Sequence, residues 1–292
     1  MKSFKEFNPT AVFVWYAAVL VITMFFSDPV IVLLSFLSSV SLLICLSGTK
    51  EIKPMLLFLL LVPVMAVINP IFNHRGETVL FVVNDNPVTF EAFFYGLYSA
   101  FMIVTVLCLI RSFTKIMTSD RLLYLFGTFS PKLALILSMS LRYIPLYGKT
   151  AAATARTQKA LGLDLDDSIP GRIRGGTRVF SVMVTWALEN GIITADSMTA
   201  RGYGIKRRTF FSIFRFRRHD AALIVSSLIL GAAVIVSAAT KTIGFTYYPK
   251  ISSGGTGLLT VATYIVYTLM VMIPILIEAE VRIKWKYLRS KI

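Results

Sequence analysis

Six stretches of this 292-residue chain are too apolar and too long for the strands or core helices of a soluble domain. They occupy residues 11–26, 29–46, 54–72, 92–110, 220–240 and 258–277. Hydrocarbon offers no water to peptide groups, so each stretch must close its hydrogen bonds internally, as a helix. With 56% apolar residues overall, the expectation is an all-α, polytopic helical membrane protein with about six transmembrane helices and further long helices outside the bilayer. Pro29 stands at the first position of the second run, just after Ser27-Asp28, so the first two runs form a tight hairpin. Pro63 predicts a kink in the third run. Residues 73–91 form a polar connection long enough for a small hairpin or a short helix, and residues 241–257 form a Gly- and Ser-bearing loop. No early stretch joins a short apolar core to a small-residue cleavage site, so the first span is read as retained.

Charge orients these runs. The chain divides into an N-terminal set of spans (1–110), a basic central region (111–218) and a C-terminal pair of spans with a basic tail (219–292). The central region holds 18 of the 30 Lys and Arg residues against 6 of the 15 acids. Six crossings put both termini, Lys50, Lys53 and this whole region on one side. Only Arg75, Lys241 and Lys250 fall opposite. Positive-inside asymmetry therefore places both termini and the central region in the cytoplasm. Basic charge beside anionic headgroups accounts for most of the net charge of +15, so the partner is the lipid bilayer and no nucleic acid is implied.

The chemistry-bearing motifs are few. There is no GxxxxGK[ST], since GRIRGG at 171–176 lacks the Lys-Ser/Thr end, and there is no HExxH or GxSxG. Asp164, Asp166 and Asp167 could suggest a Mg²⁺-diphosphate site, but no second acidic cluster faces them and they read as a solvated turn. Cys45 and Cys108 lie in apolar runs as buried thiols, and His74 and His219 lack ligand partners at any standard spacing. The spans hold almost no ionisable residues, which leaves no proton relay or ion path for an autonomous transporter. The chain is read as a non-enzyme without metal or cofactor.

The central region still contains helical, apolar pieces that need a surface to bury against. Ser130-Pro131 starts one helix, as N-cap and first position; Pro145 interrupts it and Gly162 ends it. Residues 163–178 read as a breaker-rich link, and the next helix runs from about 179 to 201. The two helix ends form a weak repeat, ARTQKALG at 155–162 and ADSMTARG at 195–202, each closing on Ala-X-Gly. A glycine there can take the left-handed conformation that stops a helix. Asn190, Thr194, Ser197 and Arg201 recur at steps of four, three and four, making one polar stripe that ends on the arginine.

The segments SLRYIPLY (140–147), ALG followed by Leu163-Asp164, and SMTARGYG (197–204) resemble the T component of energy-coupling factor transporters, the membrane scaffold of a class of bacterial vitamin and transition-metal importers. The resemblance spans residues 111 to 208, and the order of spans agrees with it. It implies a bacterial cytoplasmic-membrane protein that binds no ATP itself. Its partners would be two ATP-binding cassette ATPase subunits, which hold the ATP, and a small substrate-binding membrane (S) component. Two long cytoplasmic coupling helices would each end in an Ala-Arg-Gly signature docked on one ATPase. Transferred here, Ala200, Arg201 and Gly202 form the second signature, and Arg142, Pro145, Asn190, Thr194 and Ser197 support the coupling helices. A charge-assisted contact from Arg201 would contribute about 1.5–3 kcal/mol. The first signature departs from the pattern: it is Ala160, Leu161 and Gly162, and Arg156 and Lys159 point to other faces. A membrane-embedded prenyl- or phosphotransferase and an adaptor for another cytoplasmic protein are the alternatives from other classes.

Overall fold

The first two long helices begin where the sequence supplies a cap. In the computed structural model, which describes residues 3–83, 86–163, 168–205, 214–240, 243–253, 255 and 257–289, Asn8 accepts the Thr10 N–H at 3.0 Å and Pro9 opens α1 (Pro9–Phe25). Asp28 accepts the Val30 N–H at 2.9 Å and Pro29 opens α2 (Pro29–Ser47). The third run is two helices, α3 (Ile52–Leu59) and α4 (Leu61–Phe72), parted at Leu60. Pro63 has no N–H, and its ring crowds the carbonyl of residue 59, so the expected kink falls at this break. The polar connection is a hairpin of β1 (Val79–Val83) and β2 (Asn86–Thr89). Then come α5 (Phe90–Ile116), α6 (Ser119–Phe129), α7 (Pro131–Ala160), α8 (Ile169–Ala200) and α9 (Arg218–Ala239). The small strands β3 (Phe245–Thr246) and β4 (Ser252–Ser253) and the long α10 (Leu258–Arg289) follow.

Among the described residues, five segments are long and apolar enough to cross a membrane: α2, α3–α4 taken over Lys53–Phe72, α5, α9 and α10. The first run is a 17-residue helix, at the short end of spanning lengths. The protein is an all-α multi-pass membrane protein. Its chain divides into two compact units, Met1–Leu122 with Phe214–Ile292, and Leu123–Ile213. The change of composition at residue 111 falls inside α5, which continues to Ile116 and keeps Arg111 and Lys115 with the first unit.

In that first unit α1 packs on α9, α2 on α5 and α10, and α4 on α5. Polar side chains between the helices are paired. Trp15 Nε1 donates to the Met270 carbonyl at 3.0 Å, Tyr16 and Ser112 share a hydrogen bond of 2.9 Å, and Tyr267 meets Ser35 at 2.5 Å. The approach of α4 to α5 depends on Gly96, where a Cβ would stand 2.9 Å from Asn69 Cβ.

The apolar runs hold almost no ionisable residues, as expected, but four carboxylates at or just beyond their margins are buried. Asp28, Glu91, Asp220 and Glu278 are all buried. Asp28, Glu91 and Asp220 stand at helix starts and Glu278 lies within α10, and each accepts hydrogen bonds rather than facing another acid. Glu91 receives the Thr78 N–H at 3.2 Å, and Tyr264 donates to Asp28 at 2.7 Å. Asp220 receives the backbone N–H groups of Asn8 and Arg217, both at 2.9 Å. Glu278 receives Ser3 Oγ at 2.8 Å and the Phe4 N–H at 3.2 Å. Composition could not reveal this, because a carboxylate that satisfies backbone donors from a distant segment looks like a surface acid in the sequence. Both thiols are free, Cys108 buried and Cys45 half-buried.

One ion cluster ties the end of α5 to the turn after α2. Glu51 receives Arg111 Nε at 2.5 Å and also Lys115 Nζ, which reaches Ser47 Oγ at 2.8 Å. Lys115 first, and then Arg111, holds the Glu51 carboxyl below its ordinary value. A depressed folded pKa stabilises the fold fully above the unfolded glutamate value of about 4.3, and the contribution is lost as pH falls through the folded value. The melting temperature of the wild-type chain in detergent is therefore expected to fall more steeply below about pH 4 than that of Glu51→Gln. Parallel pH profiles for the two would remove this cluster from the stability of α5.

Candidate functional site

Unit Leu123–Ile213 contributes an antiparallel pair of long helices, α7 and α8. Pro131 opens α7, although the Ser130 side chain makes no capping bond. The interruption expected at Pro145 does not occur: α7 continues unbroken through that residue. Tyr143 and Tyr147, on either side of the proline, both pack against α8. Tyr143 Oη meets Thr194 Oγ1 at 2.8 Å, and the Tyr147 ring sits edge-on to Trp186 with centroids 5.5 Å apart. These contacts offset the roughly 3 kcal/mol that an interior proline costs.

The link expected over residues 163–178 is also different. Ser168 accepts the Gly171 N–H at 3.2 Å, Pro170 sits in the first turn, and α8 starts at Ile169. A good cap and a preset φ outweigh glycines that each cost about 1 kcal/mol in a helix. The reading of Asp164, Asp166 and Asp167 as a turn lies outside the described residues. The polar stripe divides. Asn190 and Thr194 are half-buried, Asn190 Nδ2 donating to the Trp186 carbonyl at 2.9 Å, while Ser197 and Arg201 are exposed. Arg142 and Pro145 are exposed on α7.

The weak repeat becomes a matched pair of helix ends. At the first, the Gly162 N–H reaches the Lys159 carbonyl at 3.0 Å and the Leu163 N–H reaches Gln158 at 3.1 Å. At the second, the Gly202 N–H reaches Thr199 at 2.9 Å and the Tyr203 N–H reaches Met198 at 3.0 Å. Both are Schellman caps, with the glycine in the left-handed region at φ +72° for Gly162 and +80° for Gly202. The residues before those glycines superpose in conformation: Leu161 lies at φ −80°, ψ 2° and Arg201 at φ −82°, ψ 7°. Ala160 and Ala200 are the last helical residues. Leu161 and Arg201 thus occupy one structural position with opposite chemistry.

The two caps are far apart. Arg178 Nη1 donates to the Leu163 carbonyl at 3.2 Å, which places the first cap beside the early turns of α8. From Arg178 to Arg201, α8 rises about 35 Å. Each cap carries exposed apolar neighbours. At the first are Leu161 (69% exposed) and Leu163, with Ile169 (77%) and Ile173 exposed on the opening turns of α8, and after the second come Tyr203 and Ile205. Reading 163–178 as a loop hid the Ile169–Ile173 pair; their four-residue spacing was the signal, legible only if a helix starts at Ser168. Two rigid rods with exposed, glycine-terminated ends, one cationic and one apolar, are suited to docking on other surfaces.

No family model matches the chain. It is 29% identical over 234 residues to the energy-coupling factor transporter transmembrane protein EcfT of Streptococcus thermophilus, covering 75% of this chain and 81% of that one. It is 34% identical over 101 residues to the protein of the same name from Listeria innocua, covering 34% of this chain and 38% of the relative.

Proposed function

We propose, from the premise that the chain belongs to the T-component family of energy-coupling factor transporters, that it is the scaffold through which ATP-driven motion of partner ATPases reaches a separate substrate-binding membrane protein. The observation that carries this reading is the pair of matching Schellman caps at opposite ends of the α7–α8 hairpin. Two docking points about 35 Å apart on rigid helices can receive two ATPase subunits at once. Movement of either subunit then displaces its helix as a body, because packed helices shift rather than bend. ATP is held by the partners, and this chain contributes no cofactor chemistry.

The two contacts differ in kind. Arg201 offers a planar donor fork to carbonyl or carboxylate acceptors on one ATPase. At the equivalent position the exposed Leu161, followed by the exposed Leu163, offers an apolar contact to the other. That asymmetry fits two non-identical ATPases, one of which presents a greasier groove. The chain would sit in the bacterial cytoplasmic membrane with both termini and the hairpin on the cytoplasmic side, as its charge asymmetry favours.

Affinity purification of the tagged chain in mild detergent tests the reading. It should bring down two ATPase subunits and one small membrane protein in near-equal amounts. Recovery of the chain alone, from cells that carry the ATPases, would overturn it.

A further inference from the structure

The hairpin between α4 and α5 has a surface that the coupling role does not use. It lies at the end of the bundle opposite the Ser3–Glu278 and Asn8–Asp220 contacts. That end is marked by Asn73 Nδ2 donating to Tyr248 Oη at 2.9 Å and Tyr247 Oη donating to the Ser27 carbonyl at 2.9 Å. Beyond the irregularity between Val79 and Phe81, which lets Leu80 and Phe81 border one groove, successive strand residues point to opposite faces, so a hairpin resting on protein hides every second side chain. Here four consecutive apolar residues of β1 are all exposed: Val79 53%, Leu80 56%, Phe81 57% and Val82 61%. Both faces are greasy and both are open. In water such a strand is an aggregation site.

Two observations point to what covers it. The apolar surface is continuous with the exposed side of α4, where Val67, Ile68, Ile71 and Phe72 face outward from a membrane-spanning segment. Between them lies an apolar groove of about 750 Å³, lined by Ala66, Val67, Pro70 and Ile71 of α4 and by Leu80 and Phe81 of β1. The depth is set by the backbone. β1 and β2 form a two-stranded sheet, so each strand leaves an edge of N–H and C=O groups that hydrocarbon cannot satisfy. At its base the Glu77–Lys250 ion pair, 2.6 Å and largely exposed, requires water or headgroups. Apolar faces with polar edges are stable together where acyl chains meet headgroups.

We propose that the hairpin is seated in this boundary layer of the bilayer, with a lipid acyl chain filling the groove between β1 and α4. It would anchor the α4–α5 turn in the membrane and hold that end of the helical bundle at a fixed depth. The inference rests on the membrane-spanning helices and is independent of the ATPase partners.

The test places tryptophan on each face of the strand, as Phe81→Trp and Val82→Trp, with Glu77→Trp as the hydrated control. The full chain is reconstituted in phosphatidylcholine–phosphatidylglycerol vesicles. Both positions are more than half exposed, so the larger ring needs no repacking. After subtraction of the wild-type signal, both added tryptophans should lose roughly half their emission with lipids brominated near the headgroup end of the chain. They should lose less with lipids brominated deep in the bilayer, and should be shielded from aqueous acrylamide relative to position 77. Quenching by bromolipid on only one face would overturn the proposal, since the other face would then rest on protein. Full access to acrylamide would overturn it in favour of an aqueous loop. Protection from both quenchers would mean that protein covers the hairpin, and would overturn it equally.

Discussion

Arg201→Glu should insert and express like the parent chain and lose ATP-driven uptake almost completely. Arg201 is the exposed cap residue of α8, at φ −82°, ψ 7°, a conformation open to any residue. The cap itself is made by the backbone of residues 198–203 and by Gly202, so the substitution changes fold stability by under about 0.5 kcal/mol. What it changes is the sign of the charge offered to acceptors on an ATPase. Losing a charge-assisted contact costs about 1.5–3 kcal/mol, or roughly 10- to 150-fold in affinity, and like-charge opposition adds to that. Arg201→Ala should show the first loss without the second. Leu161→Ala should lose less than Arg201→Ala, because a partly exposed apolar contact contributes less than a charge-assisted one. Uptake into cells or vesicles, normalised to inserted protein, measures all three. Near-normal uptake with Arg201→Glu would refute the docking role, and equal losses from the two alanine variants would make Leu161 an essential anchor.

Asp220→Ala should lower the melting temperature of the detergent-solubilised chain by about 5–10 °C, corresponding to roughly 3 kcal/mol. Asp220 is buried at the start of α9, and its two carboxylate oxygens each accept a backbone N–H, from Asn8 and from Arg217. Asn8 in turn caps α1, so one side chain joins the starts of two packed helices. Alanine leaves both donors without that acceptor, which costs more than the bond itself contributes. Asp220→Asn keeps one acceptor oxygen but points an NH₂ at the other donor, and should fall between. Thermal unfolding followed by fluorescence decides the matter. A shift under about 1 °C for the alanine variant would mean that water replaces the carboxylate at this site.

The comparison of expectation with structure turns on where the local signal is strong. Proline at positions 29 and 63, the glycines at 162 and 202 and the long apolar runs each act through their own backbone or composition, so helix starts, the α3–α4 break and both caps were readable. Pro145 and residues 169–178 misled for the opposite reason. Their local preference is against helix, and packing of Tyr143 and Tyr147 on α8, with the Ser168 cap, outweighs it. Asp220 and Glu278 were invisible because their partners lie 212 and 274 residues away in the chain.

By itself, then, the amino-acid sequence determined a multi-pass helical membrane protein, its charge asymmetry and the two glycine-terminated helix ends. These follow from burial in lipid and from backbone conformations that a residue imposes on itself. Tertiary structure decided that the helix of the second end starts already at Ile169, that α7 runs unbroken through Pro145, and that the two aligned ends therefore stand at opposite ends of one hairpin. Those facts depend on which helices meet and how far each one runs, and no local preference encodes that.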